Sequence, residues 1–139
     1  MSSRKIGVVA MNIKLNSREP VYIQVIRYFK EQIAKGVFEP GQEISSRREL
    51  ANQLKINPNT AQRAYKEMEE QGLIFTEGNL PSRITKNEMI IKQVREELIL
   101  EAVSTFIAAV QSINVPLEEA INLVKKKYEE NPDEQEGNR

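Results

Sequence analysis

The sequence has no histidine and no cysteine, and its single aspartate is Asp133, close to the C-terminus. Those absences remove whole chemistries. A Ser-His-Asp triad needs histidine, a Cys-His pair needs both, and protein zinc sites are built chiefly from the two together. Glycine is scarce at six residues and scattered, so neither a phosphate-cradling Gly-rich loop nor a dinucleotide fingerprint is present. Long hydrophobic runs are also missing, since no apolar stretch reaches the roughly 18–20 residues that span a bilayer. The apolar patch at residues 6–11, behind Arg4 and Lys5, is too short for a signal peptide and lacks a cleavage pattern. The expected compartment is therefore the cytoplasm. Glutamates beside Lys and Arg on helical surfaces read as solvated faces rather than acid–base pairs. Neither an enzyme, a metal nor a cofactor is expected.

What is present is arranged unevenly. The formal net charge is zero, with 20 basic and 20 acidic residues. Residues 1–85 hold 13 Lys and Arg against 9 acidic residues, whereas residues 86–139 hold 7 against 11. A basic first part beside an acidic second part suggests that only the first meets phosphate.

The most informative stretch runs from Ile56 to Leu73. Asn57 suits an N-cap, Pro58 the first helical position and Gly72 a left-handed stop. Ala61, Ala64, Tyr65 and Met68 follow i, i+3, i+4, i+7, which predicts one buried stripe. The opposite face carries Asn59, Gln62, Arg63 and Lys66, with Thr60 beside them. A short helix with a small-residue back and a hydrogen-bonding, cationic front suits a DNA major groove.

The neighbouring segments supply a frame for that helix. A first helix is expected from Pro20 to Lys35, ended by Gly36, with Tyr22, Val25 or Ile26, Phe29 and Ile33 inward. Pro40-Gly41 marks a turn. Ser46 and Glu49 have capping-box spacing, so a second helix begins at Ser46 with Leu50, Ala51 and Leu54 buried. Residues 55–57 then make a helix-turn-helix connection. Leu73–Thr76 and Arg83–Thr85 read as a hairpin wing around the loop 77–82, with a third strand near Ile44 or Phe38. Before all this, Ile13 and Leu15 alternate with polar residues and suggest a short edge strand, while residues 1–11 suit an edge strand or a loose arm.

A long helix is expected from Asn87 to about Ser112. Residues 98–110 are apolar nearly all round, more than one further short helix can cover. A final helix follows Pro116, with Leu117, Ala120, Ile121, Val124 and Tyr128 on one face. Residues 132–139 form a polar tail. The apolar run reads as a dimer seam through Leu98, Ile99, Val103, Phe106 and Val110. An effector pocket is the lesser reading, because no polar anchor interrupts it.

Pro20-Val21-Tyr22-Ile23-Gln24, Gly36, Pro40-Gly41, Ser46-Arg47-Arg48-Glu49-Leu50-Ala51, and Ala64-Tyr65 through Gly72-Leu73 resemble the GntR-family winged helix-turn-helix. The motifs cover about residues 20–85 in order. Asn57-Pro58-Asn59-Thr60, Arg63-Ala64-Tyr65 and the short C-terminal region are similar to the YtrA branch. The resemblance implies two C-terminal helices that form a homodimer, and a repressor linked to membrane-transporter genes. It places Ser46, Arg47 and Arg48 at a DNA-contacting helix start, Asn59 and Thr60 at contact positions, and Gly78 in the wing. Ser45 replaces a common proline, Pro58 and Gln62 stand where other branches often have Arg, and the wing lacks a Gly-x-Gly. A wing with one glycine is expected to contribute less in the minor groove.

The expected fold class is mainly α with a small β-hairpin. A winged helix-turn-helix domain occupies residues 1–85 (core 20–85), a helical dimerisation region 86–131, and a flexible tail 132–139. The expected function is sequence-specific binding of a double-stranded DNA inverted repeat by a homodimer, through Ser46, Arg47, Arg48, Asn57, Asn59, Thr60, Gln62, Arg63, Lys66 and Gly78. No membrane partner is expected, and an unidentified small-molecule effector is left open. The rival reading is a winged-helix module that binds protein instead.

Overall fold

The computed structural model describes residues 12–131. The expectations for a loose N-terminal arm and for a polar tail after Asn131 lie outside the described residues. The chain forms two compact units, the first reaching Leu98 and the second beginning at Ile99.

In the first unit, helix α1 spans Val21–Lys35, α2 Arg47–Leu54 and α3 Pro58–Glu70. Strands β1 (Ile74–Phe75) and β2 (Arg83–Ile84) follow, and then α4 starts at Glu88 and continues to Ser112. Each boundary has a local cause. Gly36 closes α1 in the left-handed region, its N–H reaching the carbonyls of Gln32 and Ile33. Gly72 has φ 76° just after α3, and a Cβ there would stand 2.9 Å from Ile90 Cδ1. Glycine therefore serves both the turn and the approach of α4. Asn87 starts α4 by accepting from Met89 N–H at 2.9 Å.

Helix α3 packs against both α1 and α2. The inward stripe is the one its spacing predicts, with Ala61, Ala64, Tyr65 and Met68 all buried. They join Val25, Phe29, Phe38, Leu50, Leu73 and Ile84 in one core. Phe29 meets Phe38 and Tyr65 edge-on at 5.3 and 6.1 Å between ring centres. Ala61 and Ala64, both fully buried, let the helices approach closely.

The sheet is smaller than expected. β1 and β2 pair antiparallel over two residues each, with Ile74 opposite Ile84 and Phe75 opposite Arg83. The third strand is reduced to a single bridge from Glu43 to Arg83. Ile84 N–H donates to Gln42 O at 2.9 Å, and the Arg83 guanidinium grips Gly41 O and the Glu43 carboxylate.

One expectation fails outright. Residues 12–16 form no strand, although Ile13 does pack on the core. Side chains of α1 satisfy this segment instead of a ladder. Tyr28 Oη accepts from Asn12 N–H at 3.1 Å, and Gln24 exchanges hydrogen bonds with the Asn16 backbone at 2.9 Å each way. An alternating pattern shows that one side is covered, not that a strand covers it.

The first turns of α4 belong to the first unit. Ile90, Ile91 and Leu98 pack on the core and Val94 is buried. Lys30 of α1 pairs with Glu97 at 2.9 Å. The division between the units thus falls inside α4, 13 residues beyond the boundary expected at residue 85.

The second unit holds the rest of α4 and helix α5 (Leu117–Glu130), joined by a turn with Asn114 at φ 59°. Ala120 is its only buried residue among those described.

Candidate nucleic-acid interface

Helix α2 begins with the capping box that its spacing predicts. Ser46 Oγ accepts from Glu49 N–H at 3.1 Å, and Glu49 Oε1 accepts from Ser46 N–H at 3.0 Å. One residue earlier, the Tyr65 hydroxyl donates to Ser45 O at 2.5 Å, tying α2's start to the middle of α3. Burial pushes the Tyr65 phenol well above its ordinary range, although the nearby Arg47 charge pulls the other way.

The two arginines at this helix start part company. Arg47 ion-pairs with Glu69 of α3, its guanidinium lying 5.3 Å from the centre of the Tyr65 ring. Its charge is used inside the unit. Arg48 is exposed and has no partner among the described residues. It faces a groove between α2 and the wing, lined also by Ser46, Thr76, Asn79, Leu80 and Pro81.

On α3, Asn57 is the N-cap and its side chain accepts from Asn59 N–H at 2.8 Å. Pro58 occupies the first turn, where its missing N–H costs nothing. Asn59, Gln62 and Lys66 are exposed on the side opposite the buried stripe, with no side-chain partner among the described residues, and Thr60 is half-buried. Arg63 shares that outer side but is held. Its guanidinium lies 3.8 Å from the centre of the Tyr22 ring on α1, and its Nε makes a long 3.4 Å contact with Glu67.

The wing loop turns at Glu77, whose carbonyl accepts from Leu80 N–H at 3.0 Å, while the Thr76 and Ser82 hydroxyls join across its base at 2.6 Å. Gly78 has φ 56° and open space around it. Leu80 is 61% exposed at the loop.

Of the expected contact residues, Ser46, Arg48, Asn59, Gln62 and Lys66 therefore present free or exposed groups on neighbouring elements. Arg47 and Asn57 have structural partners, and Arg63 is both held and accessible. Two residues not expected here lie beside these, Tyr22 under the Arg63 guanidinium and Leu80 on the groove that Arg48 lines. Tyr22 fits the apolar stripe of α1, and nothing local in the sequence marks it as a platform for Arg63. Leu80 had a weak signal, an apolar residue in an otherwise polar loop.

In the second unit, Ile99, Leu100, Val103, Phe106 and Ile107 are 41–64% exposed. Val110 is half-buried. Leu98, the first residue expected in the seam, instead packs on the core of the first unit. Among the described residues there is no group of three acidic, His or Cys side chains fit to hold a metal, and no helix long and apolar enough to cross a membrane.

Residues 21–84 match the family model described as bacterial regulatory proteins, gntR family. The HTH-type transcriptional repressor YtrA of Bacillus subtilis is 37% identical over 101 residues, which is 66% of this chain and 78% of YtrA. The HTH-type transcriptional regulator YhcF of the same organism is 29% identical over 115 residues, covering 83% of this chain and 95% of YhcF. Among solved structures, a GntR family transcriptional regulator from Listeria monocytogenes superposes with a TM-score of 0.75 at 32% identity, over 81% of this chain and 98% of that one.

Proposed function

The chain belongs to the GntR family of bacterial regulatory proteins, and on that premise we propose that it is a homodimeric repressor whose two α3 helices read an inverted repeat. The observation that carries the reading is the outer face of α3. Asn59, Gln62 and Lys66 stand exposed beside Arg63, directly opposite a fully buried stripe, on the helix that packs against α2, where Arg48 is uncommitted. Arg48 and Lys66 supply salt-sensitive phosphate affinity, while Asn59, Gln62 and Arg63 supply base readout, with Thr60 at its edge. Ser46 offers a hydroxyl to phosphate at α2's start. Arg47 and Asn57 act indirectly, by bracing α2 and α3. Gly78 and the rest of the wing make a secondary contribution.

The exposed apolar side chains of α4 beyond Leu98 support the second copy. Surface of that kind is costly in water, and a symmetric partner offers an identical face to cover it. A two-fold dimer would set two α3 helices on half-sites about one helical turn apart, or a multiple of that. Repression and a transporter-linked operon rest on the likeness to YtrA and on the family resemblance.

The test is selection of a random-sequence duplex library by the full chain, followed by binding in rising salt. An enriched inverted repeat whose affinity falls with salt is expected, together with repression of a reporter placed behind that repeat. Recovery of no enriched sequence would favour the protein-binding module instead.

A further inference from the structure

Among the described residues, Arg63 is the one member of the outer face of α3 whose side chain is fixed by another helix. Its guanidinium carbon stands 3.8 Å from the centre of the Tyr22 ring, at the start of α1. The Nε is turned to Glu67. The two terminal nitrogens hold no hydrogen bond to a described residue, and the side chain is 58% exposed. The arginine is thus held chiefly by its face, with the outer fork left open. That fork is the part of an arginine that matches the N7 and O6 acceptors of guanine.

We infer that Tyr22 is a positioning residue for base readout: its ring holds the Arg63 guanidinium with the terminal nitrogens presented for a guanine in the major groove. The inference deepens the proposed function and rests on its reading of Arg63 as a base reader. A long, free arginine loses rotamer freedom when it grips a base, and a ring that already holds it reduces that loss. Tyr22 then touches no nucleotide, yet sets how strongly one base pair is preferred. Glu67 adds little to this arrangement, because its contact with Nε is long, at 3.4 Å, and exposed.

The experiment uses the full chain, the duplex selected above, and duplexes altered one base pair at a time. For each, discrimination is the ratio of Kd on the altered duplex to Kd on the selected one. Arg63→Ala should remove discrimination at one base pair. Tyr22→Leu should lower discrimination at that same pair by about two- to fivefold, the range of an exposed cation–π contact. Tyr22→Phe, which keeps the ring, should restore it, and Tyr22→Trp, a stronger face for a cation, should hold or raise it. In the Arg63→Ala background, Tyr22→Leu should have no further effect on discrimination. A purely structural strap between α1 and α3 would instead lower thermal stability and weaken all duplexes alike. If Tyr22→Leu does only that, or if Tyr22→Trp lowers discrimination, the positioning role is overturned while the reading of Arg63 stands. If Arg63→Ala weakens every duplex equally, Arg63 is not a base reader, and both fall for a reason distinguishable from the first.

Discussion

Ser46 holds two roles, and one pair of substitutions separates them. Its hydroxyl closes the capping box of α2, with contacts of 3.1 Å from Glu49 N–H and 3.0 Å from its own N–H to Glu49. It also lines the groove with Arg48 and the wing, where a DNA phosphate would lie. Ser46→Ala removes the cap acceptor and leaves an N–H at the helix start to water alone. Loss of such a cap costs about 1 kcal/mol. For a unit of this size that corresponds to a fall in Tm of about 4–8 °C. Ser46→Asp keeps an oxygen that caps as well as serine, and its charge suits a helix N-terminus, although Glu49 nearby offsets part of that gain. The stability order by thermal melting should therefore be Ser and Asp together, with Ala below. Binding should follow another order, because a carboxylate near phosphate repels it. Affinity for the selected duplex should fall modestly for Ala and by about tenfold or more for Asp, most strongly at low salt. An Asp variant that is stable and binds DNA as well as the parent would refute the placement of Ser46 beside phosphate. An unchanged Tm for Ala would refute the energetic role of the cap.

Three further outcomes are expected. Arg48→Ala should weaken selected and random duplexes about equally and lower the slope of log K against log salt by about 1, whereas Arg47→Ala should act first on stability, because its charge is spent on Glu69; equal salt slopes for the two would contradict that division. Phe106→Glu should give monomers by sedimentation, since it puts a charge in the exposed apolar face of α4; a variant that stays dimeric would move the seam elsewhere. Tyr65 has its phenol pKa raised by burial, so the native state keeps its proton where the unfolded chain loses it. Its contribution is full below the ordinary phenol pKa of 10.0 and is lost as pH rises above that value. Tyr65→Phe should flatten this alkaline loss in denaturant titrations between pH 9 and about 11, and a variant whose stability falls as steeply as the parent's would assign the loss to another group.

The features legible in the sequence are those decided within a few residues. Ser46 and Glu49 meet because they are three apart at a helix start, and Asn57, Pro58 and Gly72 act on backbone groups beside them. The stripe of Ala61, Ala64, Tyr65 and Met68 repeats with the helix, so its inward side followed from spacing alone. The small sheet was harder to bound. Hydrogen bonds across two-residue strands depend on how Arg83 holds Gly41 and Glu43, contacts more than 35 residues apart in sequence. The alternation around Ile13 corresponds to no strand for a related reason, because the groups that satisfy its segment are side chains of α1.

The charged residues are the least legible, and they are the ones on which the proposed function turns. Arg47 and Arg48 are adjacent and chemically identical, yet helix rotation of about 100° between neighbours sends one to Glu69 and leaves the other free. Arg63 looks from spacing like Gln62 and Lys66, a free side chain on an outward face. What distinguishes it is Tyr22, 41 positions earlier, brought beside it by the packing of α1 on α3. A sequence pattern identifies which face of a helix is polar, because that depends on period. Which polar group is free to bind depends on neighbours that only tertiary packing supplies. The helix-turn-helix frame therefore follows from local rules, while the distinction between an arginine paired with Glu69, one held on the Tyr22 ring and an uncommitted cation rests on the presence or absence of single long-range contacts, each open to test by one substitution.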